Sequence, residues 1–135
     1  MLGKHDVGAT IAVSDIAAAR SFYENDLGLE PATDMGEAVV YSSGASRVLV
    51  YRSDFAGTNK ATAATWSAGE DFDSVVDDLH RKGVTFEQYD LPGASREGDI
   101  HTMGEMRGVW VKDPDGNILS IVDAYRPAGE RDADG

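Results

Sequence analysis

The sequence predicts an α+β fold of two βαβββ units whose strands curl into a concave mixed sheet, with the helices outside. Three observations predict it. The order strand, helix, several strands occurs twice. The helix starts and stops repeat, Asp15 and Gly28 in the first unit answering to Asp71 and Gly83 in the second at nearly the same offset. Each helix also carries one apolar face. Neither unit would cover both faces of its strands alone, so the two are expected to share a sheet with a ligand in the concavity.

In chain order, the stretch from Gly8 to Val13, with ATIAV, reads as a short buried strand running into Ser14-Asp15, either of which offers a side-chain oxygen to the free N–H groups of a helix start. The helix then spaces Ile16, Ala19, Phe22, Tyr23 and Leu27 along one face and stops at Gly28, where positive φ costs glycine little. Strands follow at 38–41 and 47–51 around the turn 42–44, and 55–60 reads as a linker.

Residues 61–68 form the next strand, containing Trp66, and Glu70-Asp71 are the capping candidates of the second helix. Phe72, Val75, Val76 and Leu79 give that helix the clearest amphipathic stripe in the chain. Gly83 ends it, a strand runs over 84–89, and 91–104 reads as a polar loop. Two final strands, 109–111 and 118–122, flank the turn Asp113-Pro114-Asp115-Gly116-Asn117, whose Pro and Gly favour turn dihedrals.

A chain of 135 residues with 41% hydrophobic content fits a single domain with a real core. We place that domain at 1–126, with halves at about 6–54 and 61–124, and expect the polar tail 127–135 to fray. No apolar run is long enough to cross a membrane and no export signal is visible, so a cytoplasmic protein without membrane contact is expected. The absence of cysteine removes disulfides, thiolate metal sites and cysteine nucleophiles. A net charge of −12 repels phosphate backbones, which argues against nucleic-acid binding and favours a cationic ligand if any charged one. No glycine-rich phosphate loop stands between a strand and a helix, and no serine sits in a nucleophile elbow.

Val13-Ser14-Asp15, Phe22-Tyr23 and Leu27-Gly28-Leu29 resemble the opening of the vicinal-oxygen-chelate superfamily. Those proteins include glyoxalase I, extradiol dioxygenases, fosfomycin-resistance transferases and bleomycin-binding proteins. Trp110-Val111-Lys112-Asp113-Pro114-Asp115-Gly116-Asn117-Ile118-Leu119 resembles its closing hairpin. The resemblance covers about residues 6–124 and implies the glyoxalase/bleomycin-resistance fold. It also implies a homodimer, since such proteins commonly pair. The superfamily contains both enzymes and pure binders, so the fold does not decide between them.

The superfamily's enzymes hold a divalent metal with His, Gln or Glu side chains inside the concave sheet. Carried onto this sequence, the first ligand position falls on Gly8. The position before the second helix falls on Ala64, or on Thr62 or Trp66 if the register slips by two. The position after the DPDGN turn falls on Ser120. The remaining carboxylate belongs to the strand 47–52, which contains no acid. Every implied position has lost its ligand, so no metal and no other cofactor is expected. His5 precedes the first strand and His80 follows core Leu79, which should turn it outward. His101 lies in the expected loop, where Asp99, His101 and Glu105 could form an unusual metal site or an acid/base pair.

Strand alternation assigns the pocket-facing positions. It groups Ala64 with Trp66, Ser120 with Ile118 and Val122, Gly8 with Thr10 and Ala12, and Leu49 with Tyr51. Tyr41, Trp110 and Met103 are further ligand-binding candidates. Small residues beside aromatics suit a flat or bulky ligand. The expected function is therefore metal-independent binding of a small aromatic or cationic compound, as in the bleomycin-resistance branch. Two alternatives stand behind it: a lyase, isomerase or dioxygenase working at Asp99/His101/Glu105, and a dimeric non-catalytic scaffold.

Overall fold

A computed structural model describes residues 1–123; the tail expected at 127–135 lies outside them. The fold is α+β, and the chain divides into two compact units. One comprises Met1–Ala64 with Asp113–Ile118, the other Thr65–Lys112 with the segment from Leu119. The closing turn thus packs with the first unit although it is built between strands of the second.

The first unit holds β1 (Ala9–Val13), β2 (Glu30–Asp34), β3 (Ala38–Ser43) and β4 (Ser46–Arg52), in the order β1-β4-β3-β2. β1 runs parallel to β4, whereas β3 is antiparallel to both β4 and β2. Ile11, Val13, Val39, Tyr41, Val48 and Val50 are buried together with Ala19, Phe22 and Tyr23 of the helical segment. β2 was not expected. All five of its residues are exposed, so it carries no apolar alternation, and its backbone pairing with β3 defines it.

Helix α1 (Ile16–Arg20) is capped by Asp15, whose Oδ1 accepts from the Ala18 N–H at 3.1 Å. The regular helix expected to continue to Leu27 instead widens into a π turn over Ser21–Asp26. The wider turn closes on the Leu27 N–H to Phe22 carbonyl bond, and both members of the adjacent pair Phe22 and Tyr23 are buried.

The turn after Lys112 is a dense polar knot. Asp113 is buried and accepts from the Asp115 and Asn117 N–H groups, the Asn117 side-chain amide and the Tyr23 hydroxyl. Asn117 Nδ2 donates onward to the Ala12 carbonyl, and Ser14 donates to Asp115 through both its N–H and its hydroxyl. Ser14 therefore serves this turn and leaves helix capping to Asp15.

The second unit contains α2 (Phe72–Arg81) and, apart from residues 62–64 and Ile118, a sheet in which β5 (Thr62–Ser67), β10 (Ile118–Val122), β9 (Met106–Lys112), β8 (Ile100–Met103) and β7 (Ala94–Glu97) lie in that order. A further strand, β6 (Thr85–Glu87), also pairs with β9. Phe72, Val76 and Leu79 of α2 are buried as the stripe predicted. The capping expected of Glu70-Asp71 is not made by a side chain: a single 3₁₀ turn over Gly69–Asp71 leads into the helix.

The loop expected at 91–104 is instead largely the β7–β8 hairpin. Its strands ASRE and IHTM have little apolar alternation, which hid them. The glycines that turn the chain around them, Gly98 at φ 62° and Gly104 at φ 63°, sit in the left-handed region that favours glycine.

Candidate functional site

Each unit has a sheet face turned away from its helix. In the first unit the pairings place Thr10, Leu49 and Val40 side by side, and next to them Ala12, Tyr51 and Ala38. Their neighbours in sequence fill the core, so alternation sends these side chains to the other face. Thr10 and Tyr51 are exposed, while Leu49, Val40, Ala12 and Ala38 are half-buried. Two of the expected ligand-binding residues, Leu49 and Tyr51, thus share this face. Tyr41 does not. It is fully buried, stacks on Tyr23 with ring centroids 6.2 Å apart, and donates to Glu24 at 2.9 Å. Its parity along β3 puts it in the core, which removes it from the ligand-facing set.

In the second unit Arg107 marks the helix side of β9. Its guanidinium lies 4.8 Å from the Phe72 ring centre and pairs with Asp73 of α2 and with Asp123. Gly108 and Trp110 alternate to the opposite face, and the register pairs Gly108 with His101. There the Trp110 ring meets His101 edge to face, centroids 4.7 Å apart, and Tyr89 likewise at 5.2 Å. Such perpendicular contacts set the positive edge of one ring against the electron-rich face of another. Trp110 keeps part of its surface exposed, and Met103 ends the same strand as His101, half-buried and paired with Ala94 and Met106.

His101 is not the loop histidine that the sequence suggested. It stands on β8 and is fully buried. Its Nε2 accepts from the Tyr89 backbone N–H at 2.9 Å. The reason lies in the sheet: β8 pairs with β9 at 106–108 and β6 pairs with it at 110–112. Where the chain leaves β6, the Tyr89 N–H has lost its ladder, and the imidazole supplies the acceptor that a strand would have given. An Nε2 that accepts must be unprotonated, so neutral His101 carries its hydrogen on Nδ1. That Nδ1 is buried without a hydrogen-bond partner among the described residues, a state that costs about 1–3 kcal/mol for an ordinary donor.

The trio Asp99, His101 and Glu105 does not assemble. Asp99 accepts from His80 Nε2 at 2.8 Å and from the Gln88 amide at 3.0 Å. These two donors hold its carboxyl below the usual aspartate range. His80 itself is exposed and stacks on Phe86, 4.1 Å between centroids. Among the described residues no three of His, Asp and Glu lie together as a metal ion would require.

The implied metal positions carry little donor chemistry. Gly8 has no side chain, and a Cβ built there would stand 2.9 Å from the Arg47 carbonyl oxygen. A ligand at this position would need the backbone to move. Ala64 lies on β5, half-buried beside exposed Thr65 and half-buried Trp66, and Ser120 is buried on β10. One hydroxyl among these positions does not make the imidazole and carboxylate set that a catalytic divalent cation needs.

Two contributors are not among the expected site residues: Tyr89, the last residue of the expected strand 84–89, and Gly108. The second had a signal, since an isolated glycine inside a strand pattern marks close approach of neighbouring atoms. A Cβ at 108 would meet Val122 Cγ1 at 3.3 Å.

Two mixed units with the helix on one sheet face and the other face bare of it define a fold class, and the comparisons give it a family. The chain belongs to the Glyoxalase/Bleomycin resistance protein/Dioxygenase superfamily, whose sequence profile matches residues 7–121. Among solved structures it is similar to a glyoxalase/bleomycin resistance protein/dioxygenase from Alicyclobacillus acidocaldarius, at 17% identity and a TM-score of 0.67, covering 90% of this chain and 92% of that one. The genomically encoded fosfomycin resistance protein FosX of Listeria monocytogenes matches at 14% identity and 0.64, covering 94% of each chain. A lactoylglutathione lyase from Agrobacterium tumefaciens matches at 16% identity and 0.64, covering 87% of this chain and 92% of that one. No curated protein matches the sequence. Among the described residues no helix is long and apolar enough to cross a membrane.

Proposed function

We propose that this protein binds a small flat aromatic compound without a metal ion and does not transform it. The observation that carries this reading is the helix-free face of the second unit, where Trp110 meets Tyr89 and His101. The positions onto which the family resemblance carries metal ligands hold Gly8, Ala64 and Ser120. Rigid aromatic rings give a planar ligand large contact area at small entropic cost. The net charge of −12 raises the local concentration of a cationic aromatic over an anionic one. We rank the alternative of an enzyme working through Asp99, His101 and Glu105 second, because Asp99 and His101 are each bonded to other partners.

The test is a thermal-shift screen of the purified protein against Zn²⁺, Ni²⁺, Mn²⁺ and a panel of aromatic compounds. A ligand at a hundred times its dissociation constant adds about 2.7 kcal/mol, which moves the midpoint by several degrees. Stabilisation by an organic compound, unchanged by a chelator, is expected. Saturable stabilisation by a metal alone would overturn the reading. The fold family also leads us to propose a homodimer, which sedimentation equilibrium would measure directly.

A further inference from the structure

We infer that His101 is the polar anchor of the ligand site, and that the ligand therefore carries a hydrogen-bond acceptor, such as a carbonyl oxygen, beside its aromatic ring. The inference rests on the binding reading above and adds the chemistry of one atom to it. Three observations lead there. The Tyr89 N–H occupies Nε2 and so fixes the neutral tautomer with hydrogen on Nδ1. Nδ1 is buried and has no partner among the described residues. The ring stands perpendicular to Trp110, centroids 4.7 Å apart, at the strand parity of the helix-free face that the aromatic ligand would use.

A buried polar group is almost always satisfied, so an orphan of this kind asks for an explanation. Trp110 gives the direction of the answer, since an aromatic ligand resting against it is brought beside the imidazole. The hydrogen on Nδ1 can only be donated. An acceptor on the ligand would complete it, whereas a purely hydrocarbon ligand would leave it unpaired. Gly108, directly across the strand pair, adds no side chain to this face. The specificity is thus written in one fixed tautomer: acceptors are selected and acceptor-free isosteres rejected.

Ring-¹⁵N NMR of the whole protein with acetophenone and α-methylstyrene tests this, because both probes carry a trigonal substituent carbon and differ by C=O against C=CH₂. The free protein is expected to show His101 protonated at Nδ1 and not at Nε2. Acetophenone should shift the Nδ1 resonance and bind on the order of five- to tenfold more tightly than α-methylstyrene. His101→Phe, which keeps an aromatic ring, should erase that preference. A proton found on Nε2, no response of Nδ1 to acetophenone, or a preference that survives in His101→Phe would each overturn the inference. The tautomer and the Nδ1 response are read on the unaltered protein, so a variant that fails to fold does not remove the test. A saturable aromatic ligand in the broader screen would keep the binding reading intact even then, so the two proposals fail separately.

Discussion

The hydroxyl of Tyr23 donates to Asp113 at 2.8 Å across 90 positions of sequence. Burial and the neighbouring Asp113 charge push the Tyr23 phenol far above its ordinary range, so it stays a donor at any working pH. The pair ties the π turn after α1 to the turn before β10. Asp113 collects four donors in all, and a buried carboxylate is tolerable only when so surrounded.

Tyr23→Phe should therefore cost about 1–2 kcal/mol, the range for one buried hydrogen bond whose partner stays behind. Asp113→Ala should cost more, about 3–5 kcal/mol, because it strands several donors together and leaves a void. Urea unfolding measures both. Equal midpoints for the two variants would mean that the knot is not what holds this turn.

Gly8 offers a cleaner contrast. Its Cβ would meet a backbone oxygen, which cannot step aside as a side chain can, while a Cβ on Gly3 meets nothing within 4 Å. Gly8→Ala should destabilise by about 1–3 kcal/mol through overpacking. Gly3→Ala should leave the unfolding midpoint within error. A silent Gly8→Ala would show that β1 shifts easily, and that a metal ligand could be accommodated there after all.

Acid sensitivity should trace to three carboxylates. Arg20 and the Tyr41 hydroxyl hold Glu24 below its ordinary value, the Gly36 N–H and Arg20 do the same for exposed Asp34, and Gln88 and His80 for Asp99. A depressed folded-state value means that the unfolded chain binds the proton more readily. These groups thus stabilise the fold fully above the unfolded values, 4.5 for Glu and 3.8 for Asp, and lose that contribution as pH falls below them. Chemical denaturation across pH 7 to 3 should show a plateau down to about pH 5 and then a decline. Asp99→Asn should shallow the decline, and an unchanged profile in that variant would remove Asp99 from the account.

Trp110→Ala should weaken aromatic binding more than Tyr41→Phe. The first removes the exposed ring surface and both edge contacts to Tyr89 and His101. The second deletes only a hydroxyl inside the core of the first unit. Isothermal titration with any hit from the screen decides it: a larger loss from Tyr41→Phe would place the ligand away from the second unit's face.

By itself the sequence determined the repeat, both helices, most strands and the family. Those signals are local: apolar spacing in α2, caps and glycine stops, and the turn chemistry of residues 113–117. Tertiary structure alone decided the rest. β2 and the β7–β8 hairpin lack apolar alternation and exist through backbone pairing, which leaves little trace in side-chain pattern. Tyr41 and Leu49 both look like plausible wall residues in sequence, yet register sends one into the core and the other to the open face. The environment of His101 was the least legible of all. Its burial, its bond to Tyr89 and its contact with Trp110 arise because two short strands share one edge of β9, and the need for an acceptor at that gap appears only once the strands have paired.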